Sequence, residues 1–188
     1  MDKCELKDWI NYEREQYGCS PGVKGYIKYF IGDEASTIWH FQNRMRLTEY
    51  YYNTGKKIRY YYSKLLFNHL RNKYSMNIHL NTCGKGLKIM HLGPILMNKN
   101  VKVGNGCTFH INTALVAKGT TKEAPTLGDG VVIGVGAVII GGVHIANNVA
   151  VGANAVVNKD IHEENIAVAG VPAKKISDSG RLTWNNKE

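Results

Sequence analysis

The chain has 188 residues, a formal net charge of +9 at pH 7 and 44% hydrophobic residues. This length suits one good core with a smaller appended part. We expect a cytoplasmic protein with no membrane span, because no apolar run approaches spanning length, and no nucleic-acid partner, because no nucleic-acid motif accompanies the basic residues.

The first part, residues 1–76, is predicted to be an α-helical N-terminal region. Apolar residues recur at helical spacing within residues 36–53 and 57–74, and Thr54-Gly55 separates the two segments. An antiparallel helix pair follows from this pattern. The predicted packed faces are Ile38, Phe41, Met45 and Tyr52 on the first helix, and Ile58, Tyr61, Leu65, Phe67 and Leu70 on the second. The tyrosine triplets at 50–52 and 60–62 are interpreted as packing surface as well.

The second part repeats every six residues between Leu127 and Ile161. An aliphatic residue opens each hexad, at Leu127, Ile133, Ile139, Ile145, Val151 and Val157. Gly, Asn and Asp lie between these positions and tolerate the left-handed backbone angles of a sharp corner. The period predicts short strands that stack into a parallel β-helix, because no helical repeat is this short.

Three hexads per coil place residue n on residue n+18. Ile133 then stacks on Val151, and Gly134 on Gly152, so that like packs on like. Four cysteines, Cys4, Cys19, Cys83 and Cys107, form no CxxC pair, and the last two fall at apolar positions of the coil pattern. They are interpreted as buried, reduced thiols.

The hexad pattern has two interruptions. Between Ile89 and Val103 the register slips by two residues, and Lys118 to Thr126 breaks the pattern before it resumes. An insertion in a regular solenoid projects from one corner, and such loops often carry function.

Four stretches, GKGLKIMHLGPILMN, VKVGNGCTFHINTALVAKG, LGDGVVIGVGAVIIGGVHI and AVAGVPAKKI, together resemble the hexapeptide-repeat acyltransferases, specifically their serine acetyltransferase-like branch. The resemblance implies a left-handed parallel β-helix domain at 77–176, followed by a C-terminal tail at 177–188. It also implies an acyltransferase that works as a homotrimer, with a hexamer as the alternative, and acetyl-CoA as the acyl donor in a groove between neighbouring subunits.

His91 falls where the family carries its general base. A neutral imidazole suits the removal of a proton from an attacking hydroxyl. The Asp that orients this imidazole in the serine enzymes has Asn77 as its nearest counterpart here. His91 and Asn77 are therefore the predicted catalytic residues.

For the donor, the resemblance implies contacts from two groups of residues. Backbone of Gly136, Ala137, Asn154 and Ala155 is expected beside the pantetheine arm. Lys118, Lys159, Lys174 and Lys175 are candidates for the phosphates, and Pro172 and Ala173 for the adenine.

For the acceptor, the chain departs from the serine enzymes. They carry an Asp before the catalytic His, where this chain has Met90, and an Arg-His pair in the projecting loop, where it has Glu123-Ala124. The departures predict a neutral sugar hydroxyl, in a surface-polysaccharide precursor, with serine O-acetylation in cysteine biosynthesis as the alternative. Met90, His110 and Asn112 are the candidate acceptor-binding residues.

Two alternatives come from other classes. A zinc protein like the γ-class carbonic anhydrases would use His91, His110 and His144, although their spacing does not match that family, and we expect no metal. An inactive trimeric scaffold is the other alternative.

Overall fold

The structure is a computed structural model that describes residues 2–119 and 122–184. The chain divides into two compact units, Met1–Met76 and Asn77–Glu188. None of the described helices is long and apolar enough to cross a membrane.

The first unit consists of four helices. They are α1 (Lys3–Gln16), α2 (Val23–Phe30), α3 (Glu34–Asn53) and α4 (Lys57–Lys73). The predicted antiparallel pair is confirmed as α3 and α4: the Thr48 and Ser63 hydroxyls are 2.7 Å apart, and the Phe41 and Phe67 ring centroids are 5.6 Å apart. Gly55, at φ 68°, allows the sharp turn between them.

Side-chain caps fix where two of these helices begin. Asp2 and Glu5 form a reciprocal capping box at the start of α1. The Asp33 carboxylate accepts a hydrogen bond of 2.8 Å from the Ser36 N–H at the start of α3. These bonds satisfy N–H groups that lack a partner within the helix.

The predicted packed faces are only partly correct. Ile38, Phe41 and Met45 are buried, as is Phe67. The prediction is wrong for five other side chains of α3 and α4, which are more than half exposed: Tyr52, Ile58, Tyr61, Tyr62 and Leu65. The reason is that α4 is apolar on two opposite faces, and only one of them packs on α3.

The second unit is a parallel β-helix built from three sheets. Sheet A has the strand order β1-β3-β6-β9-β12, sheet B has β10-β7-β4, and sheet C has β14-β13-β11-β8-β5-β2. The strands are β1 (Met76–Asn77), β2 (Lys88–Ile89), β3 (Ile95–Met97), β4 (Lys102–Val103), β5 (Thr108–Phe109), β6 (Thr113–Val116), β7 (Thr126–Leu127), β8 (Val132–Ile133), β9 (Val138–Ile140), β10 (His144–Ile145), β11 (Ala150–Val151), β12 (Val156–Val157), β13 (Ala167–Ala169) and β14 (Lys174–Ser177). A short helix, α5 (Arg181–Trp184), follows.

The predicted stacking of residue n on residue n+18 is confirmed in the regular coils. Ile133 pairs with Val151, and Ile139 pairs with Val157. The aliphatic residues that open the hexads are almost completely buried, so they form the core of the β-helix. Strand β14 ends this stacking because it runs antiparallel to β13.

Both predicted interruptions are present. Ile89 pairs with Phe109, twenty residues on, whereas Ile95 pairs with Thr113, eighteen residues on, so the slip of two lies between Ile89 and Ile95. Val103 pairs with Leu127, which places six extra residues in the projecting loop. Residues 120 and 121 of that loop lie outside the described residues.

The interpretation of the coil cysteines as buried thiols is confirmed. Cys83 and Cys107 are free and buried, as is Cys19, whereas Cys4 is free but exposed, so the interpretation is wrong for Cys4. Burial raises the pKa of the Cys107 thiol to about 12, and the thiol donates a hydrogen bond to the Gly128 carbonyl at 3.2 Å. A thiol held protonated in this way is chemically inert at neutral pH.

Close stacking of the coils makes Gly134 a sensitive position. A Cβ there would lie 2.8 Å from both the Ala153 nitrogen and the Val151 carbonyl oxygen, which are backbone atoms that cannot move aside. We expect Gly134→Ala to lower the free energy of unfolding by about 1–3 kcal/mol. Urea denaturation measures this change. Gly119→Ala is the matched control, because a Cβ there meets nothing within 4 Å, and equal stability of the two variants would contradict the packing described.

Candidate active site

One edge of the β-helix gathers most of the predicted site residues. The segments that leave sheet C and turn toward sheet A form this edge, which we call the C–A edge: residues 90–94, 110–112, 134–137, 152–155 and 170–173. The last segment belongs to it because the Gly170 carbonyl accepts from the Val156 N–H, and the Ala173 N–H donates to the Val156 carbonyl. Ten predicted residues lie on the edge: Met90, His91, His110, Asn112, Gly136, Ala137, Asn154, Ala155, Pro172 and Ala173.

The register slip is what brings His91 to the surface. The Met90 N–H donates to the Phe109 carbonyl at 3.0 Å, and the Asn112 N–H donates to the Pro94 carbonyl at 2.6 Å. Between these two hydrogen bonds, the coil that contains His91 has two residues more than the coil that contains His110. The extra length forms a bulge, and His91 is exposed at its start.

His110 lies on the next coil, close enough for its charge to interact with that of His91. Its imidazole is half-buried, and this burial lowers the pKa of His110 below its usual value, with a smaller electrostatic lowering from the nearby His91. His110 is therefore mainly neutral at pH 7, so it can both donate and accept a hydrogen bond.

Small residues and left-handed corners line the rest of the edge. Asn112, Gly136 and Asn154 have positive φ angles of 60°, 71° and 54°. The Asn154 Oδ1 atom sits over Gly136, only 2.1 Å from where a Cβ would be. Ala137 and Ala155 are fully buried, main chain included, so their neighbours form the surface of the edge. A slender chain could therefore approach the backbone closely along these corners.

Asn77 does not bond to His91 through its amide oxygen. It lies on β1 in sheet A, and its Oδ1 atom is buried without a hydrogen-bond partner. A buried acceptor left unsatisfied costs about 1–3 kcal/mol, so this atom needs an explanation. The predicted role of Asn77 in orienting His91 stays a prediction.

Asn77 also lines a cavity of about 340 Å³ that the sequence did not predict. Its other lining residues are His79, Leu96, Met97, Asn98, Lys99 and Val116. Asn98 and Lys99 follow strand β3 at the corner between sheets A and B. Neither Asn98 nor Lys99 belongs to a motif, so only their position at a corner of the coil could have indicated the cavity.

The predicted phosphate-binding lysines lie off the C–A edge. Lys118 and Lys159 follow strands of sheet A, at the corner toward sheet B, while Lys174 and Lys175 lie on β14. The Lys175 ammonium pairs with the carboxylates of Glu163 and Asp178. Hydrogen bonds to these two carboxylates raise its pKa. Contacts from these lysines to a phosphate stay predictions.

The three histidines of the zinc alternative do not come together in the chain. His91 and His110 are on the C–A edge, but His144 lies on β10 in sheet B, where its backbone N–H donates to the Asp160 carboxylate. Among the residues described, no group of three or more His, Cys, Asp or Glu could hold a metal ion.

The C–A edge contains no Asp or Glu. The carboxylates of the coils are placed elsewhere: Asp129 accepts from the Asn105 N–H, Glu164 from the Asn147 amide, and Asp160 from His144. The edge therefore offers two imidazoles, amide side chains and backbone groups. It can exchange a proton and hold a neutral or anionic molecule, but it has no counter-charge for an ammonium group.

No protein-family model matches the chain. Among curated proteins, the serine acetyltransferase of Buchnera aphidicola subsp. Acyrthosiphon pisum is 30% identical over 155 residues, which make up 80% of this chain and 55% of that protein. The chain spans about half the length of the curated relatives it matches.

Solved structures agree with this relation at the level of the fold. Serine acetyltransferase from Brucella abortus in complex with coenzyme A superimposes with a TM-score of 0.75 at 22% identity, covering 95% of this chain and 71% of that one. The Neisseria gonorrhoeae enzyme in complex with serine gives 0.69 at 23% identity, covering 93% and 70%. The predicted left-handed β-helix with preceding helices is confirmed, as is the resemblance to the serine acetyltransferase-like branch.

Proposed function

Because the chain is related to the serine acetyltransferase-like branch of the hexapeptide-repeat acyltransferases, we propose that it is an acetyl-CoA-dependent O-acetyltransferase. The observation that carries this proposal is the C–A edge. An exposed imidazole, His91, stands there at the two-residue insertion between Ile89 and Ile95, at one end of a row of Gly and Asn corners.

In the proposed reaction, the His91 imidazole accepts the proton of the acceptor hydroxyl while the oxygen attacks the thioester carbon. The new C–O bond forms, the C–S bond breaks, and the CoA sulfur leaves with the proton that the imidazolium returns. The charge on the carbonyl oxygen requires an N–H donor, which backbone groups of the edge can supply. Asn77 is the proposed positioning residue, because its Oδ1 atom is an acceptor without a partner.

Acetyl-CoA is proposed to bind along the same edge. Gly136 and Asn154 would allow the pantetheine arm to lie against the backbone, and Lys118 and Lys174 are the proposed phosphate contacts, since both side chains are exposed. A homotrimer is part of the proposal. It is supported by the outward apolar side chains of sheet A, such as Leu96, Val138 and Ile140, which a neighbouring subunit could cover.

Serine is the acceptor we propose first, because the curated relatives are serine acetyltransferases. The sequence-based prediction of a sugar in a polysaccharide precursor has no counterpart among these relatives. The sugar remains the second candidate because the C–A edge contains no Asp or Glu that could bind the ammonium group of serine. An ammonium left without a carboxylate forgoes a charge-assisted hydrogen bond of about 1.5–3 kcal/mol.

A thiol-release assay with acetyl-CoA and a panel of acceptors tests the proposal. We expect serine to be acetylated with a kcat/KM about tenfold or more above that of neutral sugars and nucleotide sugars, which corresponds to one charge-assisted bond to the serine carboxylate. O-Methylserine, which has no hydroxyl to acetylate, is the matched control and should release no thiol. Efficient transfer to a sugar but not to serine would select the second candidate, and no thiol release with any acceptor would contradict the proposed function.

A further inference from the structure

Helix α4 presents an apolar stripe to solvent. Ile58 is 88% exposed, Tyr61 and Tyr62 are each 67% exposed, and Leu65 is 68% exposed. Residues spaced by three, four and seven positions lie on one side of a helix. We call these four side chains the α4 stripe.

The α4 stripe is distinct from the face that packs in the helical unit. Ser63 and Phe67 are each 1% exposed, and both contact α3. Because each residue of a helix turns about 100°, these two lie nearly opposite Ile58 and Leu65. Repacking α4 on α3 could not bury the stripe without exposing the present core.

The surroundings of the stripe are basic. Helix α4 contains five basic residues and no acidic one: Lys57, Arg59, Lys64, Arg71 and Lys73. The end of the helical unit has the same character, because residues 50–76 include six Lys or Arg and no Asp or Glu. Lys57 and Arg59 are exposed at either side of Ile58.

We propose that the α4 stripe docks the protein on a membrane surface that contains anionic lipids. Ile58 and Leu65 would enter the apolar boundary, and the tyrosines would lie at the headgroup level, where such rings are enriched. Lys57 and Arg59 would meet the lipid phosphates.

Charge complementarity favours this occupant over a second copy of the chain. Two copies that met through the same stripe would bring the basic residues of both α4 helices together, with no acidic side chain of that helix to offset them. An anionic bilayer supplies the missing negative charge and the apolar layer at once. The inference does not depend on the proposed enzymatic function.

Co-sedimentation of the full chain with vesicles tests the proposal. The comparison is between vesicles of equal parts phosphatidylcholine and phosphatidylglycerol and vesicles of phosphatidylcholine alone. We expect binding to the anionic vesicles to be about tenfold stronger or more, and to weaken with added salt. Ile58→Ser combined with Leu65→Ser should lower it by about tenfold or more, as should Lys57→Gln combined with Arg59→Gln.

Ile176→Ser is the matched control, because Ile176 is 66% exposed but lies on β14, and its binding should equal that of the wild type. Circular dichroism establishes that each variant is folded. Equal binding to both vesicle types, or no binding to either, would overturn the proposal. Stripe variants that change the oligomer mass in light scattering and leave vesicle binding unchanged would assign the stripe to a second copy instead.

Discussion

His91→Ala is expected to lower kcat/KM for acetyl transfer by about 10²–10⁴-fold, the usual contribution of a positioned general base. Without the imidazole, the acceptor hydroxyl has no group to receive its proton as the C–O bond forms. The affinity for CoA should stay near that of the wild type, because His91 is expected to act on the acceptor hydroxyl. Thiol-release kinetics together with calorimetric titration of CoA measure the two quantities separately.

The matched control for this variant is His144→Ala. His144 is also an exposed imidazole of the β-helix, but it lies in sheet B, away from the C–A edge. Its removal should leave kcat/KM unchanged. If His91→Ala stayed within about tenfold of the wild type, or if His144→Ala lost as much activity, His91 would not be the general base.

Arg46→Met is expected to lower the free energy of unfolding by about 3–5 kcal/mol, because it leaves two buried carboxylates without their cation. Arg46 is completely buried on α3. Its guanidinium donates to Glu13 of α1 at 2.8 Å and to Glu49 at 3.0 Å, and it lies 5.0 Å from the centroid of the Trp9 ring. Chemical denaturation monitored by circular dichroism measures the loss.

Two further variants make the Arg46 result specific. Arg59→Ala removes an exposed arginine from α4 and should change stability by no more than about 0.5 kcal/mol. Adding Glu13→Leu and Glu49→Leu to Arg46→Met removes the uncompensated carboxylates and should restore much of the loss. A loss below about 1 kcal/mol for Arg46→Met alone would contradict a buried ion cluster that joins α1 to α3.

The coils of the β-helix could be predicted from the sequence because a short repeat within the chain specifies them. A period of six residues specifies both the strands and the stacking of Ile133 on Val151. The slip near His91 was also visible as a change in hexad register. The pattern placed it only between Ile89 and Val103, because its exact position depends on which carbonyl accepts from the Asn112 N–H.

In the helical unit, the packing of the side chains could not be predicted fully from local sequence patterns. Periodicity indicates that α4 is apolar, but it does not tell which of two apolar faces packs, so Ile58 and Leu65 were assigned to the core in error. The bond between Arg46 and Glu13 joins residues 33 positions apart, and no local pattern records such a pair. The unpaired oxygen of Asn77 likewise depends on the packing of sheet A.

We expect acetyl-CoA and the acceptor to meet at the C–A edge beside His91. A crystal structure of the full chain with CoA bound would locate the donor. The pantetheine arm should lie along Gly136 and Asn154, with the CoA sulfur within a few ångströms of the His91 imidazole, at the distance that general-base catalysis requires. CoA bound at another face of the β-helix, with its sulfur remote from His91, would contradict this expectation.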